Sequence, residues 1–349
     1  MRLSTFRDVI GHQRVLGLLA DEVASPANAY LFVGAASVGK ATVARRFAAA
    51  LLCPDGGVHA DACSTCRRAV SGAHPDLVVV EPQGRQNLGV EEARAVVSQA
   101  VLTPVEGPRK VFLFEEAGTM TDQAANALLK TLEEPTGSTV FVLVAESEDD
   151  LPATVASRCR TVHFGRVDEE ALVEALTSSG IDRTRAENIG RIAGGRPGLA
   201  LALVNSDEAA RFREAWLSVP GRLHPAPGEA FVLAEEMLAE LEPLLDDVDA
   251  ESEDRTTRER RERNRRRARQ TLLAGGLEIL ASWYLDAASL QLAGMVRNRD
   301  VPFDELTSVT PERAVRNARM VLDAMSGLAL NLRPRLLLAD LFAKLASED

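Results

Sequence analysis

Short apolar runs alternate with amphipathic segments along the first part of the chain, up to about Phe164. Short runs bounded by turn residues are typical of buried strands, and apolar positions at helical spacing are typical of helices. The pattern predicts strands at AYLFV, DLVVVEP (76–82), KVFLFEEA (110–117) and TVFVLVAE (139–146), and helices at KATVARRFAAALLC, GVEEARAVVSQAVL (89–102) and QAANALLKTLEE (123–134). This alternation indicates an α/β domain with a parallel sheet covered by helices on both faces.

The rest of the chain shows only helical patterning. We expect three domains: an α/β domain at 1–165, a small helical lid at 166–207 and an all-α domain at 208–349. A charged insertion at about 246–270 begins acidic and ends with eight arginines between Arg258 and Arg269. We interpret it as a solvated segment whose charges balance, with contact to nucleic-acid phosphates as the alternative.

The composition limits the class of protein. The 349 residues include 40 basic and 51 acidic side chains, a net charge of −11, which argues against general coating of DNA. No apolar run of about 18 residues and no secretion signal are found, so we expect a cytoplasmic protein without a membrane span. In that compartment its four cysteines indicate a metal site or free thiols rather than a disulfide framework.

A glycine-containing loop between the first strand and its helix has the pattern of a phosphate-binding loop. Gly34 and Gly39 would let backbone N–H groups turn onto phosphate oxygens, and Lys40 would reach the outer phosphates. The Ser or Thr that holds Mg²⁺ in such loops is replaced by Ala41, and Thr42 stands one residue late. The alternative is a relic loop that only connects strand and helix.

The end of the KVFLFEEA strand departs from the pattern of an ATPase at the same metal site. An Asp for the metal and then a Glu for the water are expected there, but Glu115 and Glu116 follow the apolar run. Because Mg²⁺ demands tight octahedral geometry, the extra methylene of Glu115 is expected to disturb it. The two departures predict that ATP or ADP binds with weak or no hydrolysis. The residues of this degenerate nucleotide site are Gly34, Gly39, Lys40, Ala41, Thr42, Glu115 and Glu116.

Several segments stand in a characteristic order: DVIGHQRVLGLL, NAYLFVGAASVGK, GAHPDLVVVEP, KVFLFEEAGTMTDQAANALLKTLEEP and LPATVASRC. This order resembles AAA+ clamp-loader subunits, and it is similar to the δ′ subunits of bacterial DNA polymerase III and their γ/τ paralogues over about 1–200. The resemblance implies a P-loop AAA+ domain, a helical lid and an all-helical collar that holds subunits together. The departures at Ala41 and Glu115 favour δ′ over the hydrolysing γ/τ.

The resemblance gives a role to the Ser-Arg-Cys motif at 157–159. In the family this arginine is presented across a subunit interface to the neighbour's ATP, where its guanidinium stabilises phosphoryl charge. Arg158 is therefore expected to be an arginine finger in trans, although a lone arginine would form a surface salt bridge. The implied partners are γ/τ and δ subunits and, through the complex, the sliding clamp and primed DNA. The implied function is to help load that clamp without driving hydrolysis.

A cysteine-containing segment at 53–66 predicts a zinc knuckle, since a Cys-x2-Cys pair on a tight turn suits tetrahedral zinc. Its predicted ligands are Cys53, Cys63 and Cys66. The family pattern that the segment resembles has a fourth cysteine where this chain has Ala69. The nearby candidates for a fourth ligand are His59, Asp61 and His74. A weak or lost metal, with reduced free cysteines, is the alternative.

Other interpretations stay open. Arg196 stands where the family's lid has its second sensor of a triphosphate, but a helix-breaking turn also explains Gly-Gly-Arg-Pro-Gly. Lys40 and Glu116 leave an ATP-hydrolysing motor subunit of the γ/τ type as the alternative function. A P-loop kinase for a small molecule would leave Arg158 unexplained.

Overall fold

The computed structural model divides the chain into two compact units. It describes residues 3–59, 63–82, 87–135, 138–204, 208–226, 228–245, 258–298, 300–329 and 333–347. The first unit comprises Met1–Ala175 with Gly195–Gly198, and the second comprises Leu176–Gly194 with Leu199–Asp349. The finer division into three domains stays a prediction.

The first unit is built around a parallel sheet of five strands within the described ranges. The strands are β1 (Ala29–Val33), β2 (Leu77–Val80), β3 (Lys110–Phe114), β4 (Thr139–Ala145) and β5 (Arg160–His163). Their order is β2-β3-β4-β1-β5, so β1 lies between β4 and β5. Because all strands run the same way, the loops at their carboxyl ends meet at one edge, where open α/β sheets bind ligands.

Helices cover both faces of this sheet. They are α1 (Gln13–Glu22), α2 (Lys40–Leu52), α3 (Ser64–Val70), α4 (Val90–Ala100), α5 (Asp122–Glu133) and α6 (Ala153–Ala156). The side chains of β1 show the division: Tyr30 and Phe32 pack in one core with Phe47 of α2. Leu31 packs in the other core with Leu128 of α5. The predicted α/β fold, with a parallel sheet between two helical layers, is confirmed.

The later part of the chain contains only helices within the described residues, as predicted. They are α7 (Glu169–Ser178), α8 (Arg183–Ala193), α9 (Pro197–Val204), α10 (Glu208–Arg222), α11 (Glu229–Ala239), α12 (Arg258–Gln291), α13 (Phe303–Leu306), α14 (Pro311–Ala329) and α15 (Pro334–Ala346). Of the predicted charged insertion, 246–257 lies outside the described residues and the remainder begins α12. No helix of the described chain is long and apolar enough to cross a membrane.

The core of the second unit depends on close approach between α10 and α12. Trp216 of α10 is fully buried. Gly276 of α12 faces it so closely that an added Cβ would lie 2.1 Å from Cε2 of the indole. Around this contact α12 packs against α10 and α14, while α11 packs against α15. A side chain at position 276 is therefore incompatible with this packing.

Candidate functional site

The phosphate-binding loop follows the carboxyl end of β1 and leads into α2. Gly34 has φ 150° and Gly39 has φ 102°, conformations that L side chains rarely adopt. A Cβ at Gly34 would also lie 2.2 Å from the carbonyl oxygen of Phe164. The loop thus runs close to the sheet edge, with the amino terminus of α2 directly behind it.

The Lys40 side chain is turned into its own loop. Its Nζ donates to the carbonyl oxygens of Gly34 at 2.5 Å and of Ala35 at 2.7 Å. The residue is only 7% exposed. Burial lowers the pKa of Lys40, while the carboxylates of Glu146 and Asp150 act in the opposite direction. The lysine predicted to reach outer phosphates is therefore satisfied by the loop in this state.

The carboxylate of Glu115 is engaged by an arginine of α2. The Arg45 guanidinium binds it through two nitrogens, with Nη2 to Oε2 at 2.8 Å and Nε on Oε1. Hydrogen bonding to Glu115 raises the pKa of Arg45 although burial lowers it. Ala41 offers no hydroxyl, and the sequence analysis missed Arg45. The sequence offered one signal for Arg45. It is a second cation on the helix of Lys40, and the phosphate-loop pattern gives it no role.

Two segments from elsewhere in the first unit contact the loop. The backbone N–H of Gly198 donates to the Ser37 carbonyl oxygen at 2.9 Å. The predicted sensor residue Arg196 lies in the same turn and is 3% exposed. On another side, His12 Nε2 lies 2.7 Å from the Val38 carbonyl oxygen. The loop is thus held at two points, which restricts how it can open.

Arg158 lies at a different place, in the turn between α6 and the edge strand β5. Its Nε donates to Oε1 of Glu133 at 2.5 Å, and Nη2 contacts the same oxygen. Its Nη1 donates to the Thr154 carbonyl oxygen at 2.7 Å. One third of the side chain is exposed, so a neighbouring molecule can reach it. Glu133 was not predicted as a site residue, because on the amphipathic helix α5 it has no signal beyond that of an exposed acid.

A polar groove lies beside this turn. Its volume is about 550 Å³, and it is lined by Glu148, Asp149, Leu151, Ala153, Ala156, Ser157, Cys159 and Thr161. Burial raises the pKa of the Cys159 thiol to about 12, so this cysteine stays protonated at neutral pH. The cysteine of the motif therefore packs as an apolar residue next to Arg158.

A third site brings together Cys53, His59, Cys63 and Cys66, whose ligand atoms all lie within 4.8 Å of one another. Cys53 ends α2, and Cys63 caps the amino terminus of α3. The two sulfurs are 3.8 Å apart. His59 Nε2 lies 3.2 Å from Cys66 Sγ. Of the three candidates for a fourth ligand, His59 is the one that lies with the predicted cysteines.

The other two candidates do not join this cluster. His74 is 2% exposed, and its Nδ1 accepts the backbone N–H of Asp76 at 3.1 Å. Its Nε2 lies 3.1 Å from a carboxylate oxygen of Glu106. Asp61 lies outside the described residues. Of the two candidate histidines, His59 is the one that lies in the cluster.

The local hydrogen bonds favour a thiolate at one of the cysteines. Burial opposes ionisation of the Cys63 thiol, yet the hydrogen bonds that it accepts, including one from the Cys66 backbone N–H at 3.4 Å, lower its pKa overall. Burial, with the adjacent thiols, raises the pKa of Cys66. A bound cation would offset the effect of burial on both cysteines, because a cation stabilises thiolates.

Comparison with known proteins places the chain in a family. A family model described as "DNA polymerase III, delta subunit" matches residues 12–168. The chain is similar to DNA polymerase III subunit delta′ of Bacillus subtilis (strain 168), with 32% identity over 223 residues, 62% of this chain and 67% of the relative.

Other relatives match half of the chain or less. DNA polymerase III subunit delta′ of Pseudomonas aeruginosa (PAO1) is 39% identical over 155 residues, 44% of this chain and 47% of the relative. DNA polymerase III subunit tau of Escherichia coli (K12) is 35% identical over 179 residues, 50% of this chain and 28% of the relative. With the match over two thirds of the Bacillus protein, this chain belongs to the DNA polymerase III subunit delta′ family.

Proposed function

We propose that this chain is a non-hydrolysing subunit of a replicative clamp loader. It assembles with γ/τ and δ subunits, helps to load the sliding clamp onto primed DNA, and donates Arg158 to a neighbour's ATP site. We place it in the cytoplasm with that machinery. The observation that carries the proposal is a difference in accessibility between charged groups. Arg158 is one third exposed at the sheet edge. Lys40 and Glu115, at the chain's own P-loop, are instead bound by groups of the same chain.

The residues of the P-loop do not fit Mg²⁺. Ala41 lacks the oxygen that would bind the ion, and both oxygens of Glu115 accept from Arg45. Mg²⁺ requires near-ideal octahedral oxygen ligands. We therefore assign no hydrolytic step to this site. ATP or ADP would be held by the backbone N–H groups of the loop and by Lys40, without turnover.

The surroundings of Arg158 support a role in trans. It follows α6 and precedes β5, which is the last strand of the sheet and pairs only with β1 within the described residues. The guanidinium supplies several N–H donors in one plane, a geometry that suits phosphoryl oxygens. Its present partner, Glu133, is an exposed carboxylate, and such pairs are weak enough to exchange.

The test is a loader reconstituted from this chain with γ/τ, δ, the clamp and primed DNA. In Arg158→Ala we expect normal assembly, a partial fall in total ATP turnover and loss of clamp loading. Removal of a trans finger costs up to ~10³–10⁵ in rate, but only at one of several sites. Arg94→Ala is the matched control, since Arg94 is also exposed and pairs with Glu91 on its own helix. Unchanged turnover and loading in Arg158→Ala would overturn the proposal.

The second candidate function is an ATP-hydrolysing motor subunit, favoured by the retention of Lys40 and Glu116. It predicts sustained phosphate release from Mg²⁺-ATP by the isolated chain, abolished in Lys40→Ala. The non-hydrolysing proposal predicts no release above background in either protein.

We further propose that the Cys/His cluster binds zinc with a structural role. Three thiols and one imidazole are the donor set that structural zinc sites use. Cys53, His59, Cys63 and Cys66 would hold the ion, which would tie the end of α2 to the start of α3. Zinc analysis of the purified chain tests this, with one equivalent expected and none contradicting it.

A further inference from the structure

The amino-terminal turn Ser4–Phe6 lies against the loop that carries His59. The Ser4 backbone N–H donates to the Gly57 carbonyl oxygen at 3.0 Å. The Ser4 hydroxyl lies 2.6 Å from the same oxygen and 2.9 Å from His59 Nδ1. One serine thus contacts both the backbone of the loop and the imidazole of the cluster.

These contacts determine which nitrogen of His59 carries the proton. A carbonyl oxygen can only accept, so the single hydroxyl proton of Ser4 points to Gly57. The hydroxyl oxygen must then accept a hydrogen bond from Nδ1–H of His59. In the neutral imidazole with this proton, the lone pair lies on Nε2, the nitrogen that faces Cys66 Sγ at 3.2 Å. An imidazole in this tautomer presents a metal-binding nitrogen to the thiols.

The position of Ser4 is itself fixed by packing. The Thr5 carbonyl oxygen accepts from Arg46 Nη1 of α2 at 3.0 Å, and Phe6 is fully buried. Gly57 has φ +74°, and an added Cβ would lie 3.1 Å from Cβ of Ala50. The serine is therefore held before any metal binds, which reduces the entropic cost of orienting His59.

We infer that Ser4 is a positioning residue for a metal ion held by Cys53, His59, Cys63 and Cys66. Its hydroxyl keeps His59 in the Nδ1–H tautomer, and this makes histidine an effective substitute for a fourth cysteine. The inference rests on the proposed zinc site. Outer hydrogen-bond partners of this kind alter metal affinity by about 10–100-fold.

The experiment measures the zinc affinity of the full chain by competition with a chromophoric chelator. We expect Ser4→Ala to weaken zinc binding by about 10–100-fold. Ser4→Thr, which keeps the hydroxyl, is expected to retain the affinity of the unmodified chain. Ser71→Ala is the matched control, because the Ser71 hydroxyl donates to the Arg68 carbonyl oxygen at the end of α3 rather than to a residue of the cluster, and it should change nothing.

A second background separates positioning from general stability. In His59→Cys the fourth ligand is a thiolate, which has no tautomers for Ser4 to select. Adding Ser4→Ala to this variant is therefore expected to change zinc affinity by less than about 3-fold, well below the ~10–100-fold effect of an outer hydrogen-bond partner. Equal losses in both backgrounds, or no loss in the first, would overturn the inference while the zinc proposal stands. Absence of zinc binding by the unmodified chain would overturn both.

Discussion

The P-loop and the Cys/His cluster lie at opposite ends of α2, and both depart from the pattern that they resemble. At the cluster, a cysteine is missing at Ala69, but His59 brings a nitrogen to 3.2 Å from Cys66 Sγ. At the P-loop, Ala41 lacks the hydroxyl that the pattern requires. The acid that stands in the metal-binding position, Glu115, is paired with Arg45.

The difference follows from the charge of the groups when no ligand is present. Thiols and an imidazole can converge at little cost, since these groups need no counter-charge in the way that a carboxylate does. A partly buried carboxylate needs a counter-charge, because an unpaired charge away from water is unfavourable. Arg45 supplies it for Glu115, and the acid is then no longer free for a metal. The Cys/His cluster thus remains able to bind a cation, whereas the acid at the P-loop is already neutralised by Arg45.

The largest expected effect is loss of zinc in Cys66→Ala. Removing one of the proposed ligands should weaken binding by more than the ~10–100-fold attributed to outer partners, and the melting temperature should fall because zinc at the proposed site binds the folded chain more tightly than the unfolded one. Zinc content after gel filtration and thermal unfolding measure this. Cys159→Ala, which removes a thiol outside the cluster, should keep one equivalent. Equal zinc content in the two variants would break the comparison.

A smaller effect is expected from restoring the metal ligands of the P-loop. For the unmodified chain, the affinity for a fluorescent ATP analogue should be the same within about 2-fold in Mg²⁺ and in EDTA. Ala41→Thr combined with Glu115→Asp should gain about 10-fold from Mg²⁺, equivalent to ~1.4 kcal/mol. The two single variants serve as controls. A strong Mg²⁺ dependence in the unmodified chain would show that Arg45 does not exclude the ion.

Glu133→Gln is expected to act more weakly, since it concerns an exposed pair. Exposed ion pairs contribute about 0.2–1 kcal/mol, so releasing Arg158 should raise loader turnover at limiting ATP by no more than about 5-fold. Glu134→Gln makes the same charge change one residue later and should have no effect. A fall in turnover, like that expected for Arg158→Ala, would instead mean that Glu133 supports the role proposed for Arg158.

The smallest effect concerns His74, the candidate ligand that the fold places elsewhere. Burial lowers its pKa, against the opposing carboxylates of Glu106 and Asp76. The unfolded chain therefore binds more protons near pH ~6.5, and the free energy of unfolding falls as pH decreases through that region. His74→Gln should reduce this fall, as measured by urea unfolding of zinc-free protein. Its zinc affinity should equal that of the unmodified chain, and a loss would favour His74 over His59.

Much of the fold could be predicted because the apolar runs are long and strongly patterned. The strand predicted at 139–146 is observed as Thr139–Ala145, which is buried throughout. The edge strand β5 was missed, since only Val162 of its four residues is buried and such a run has no apolar signature. The other edge strand, β2, was predicted because its residues, LVVV, form an apolar run.

The candidate sites were predictable only where the residues are close in sequence. Spacing identified Cys63 and Cys66, but the choice of histidine required the fold. The pair of Arg45 with Glu115 joins residues 70 apart in sequence, and the contact of Ser4 with His59 joins residues 55 apart. Neither pair has a local pattern, because each results from tertiary packing.

The contact between the amino-terminal turn and the cluster has a practical consequence for handling the protein. A polyhistidine tag fused ahead of Leu3 would bring additional imidazoles next to the thiols. Such a tag would compete for the ion and could draw the turn away from Gly57, which would mimic a Ser4 variant. Protein prepared for metal measurements should therefore carry no tag at its amino terminus.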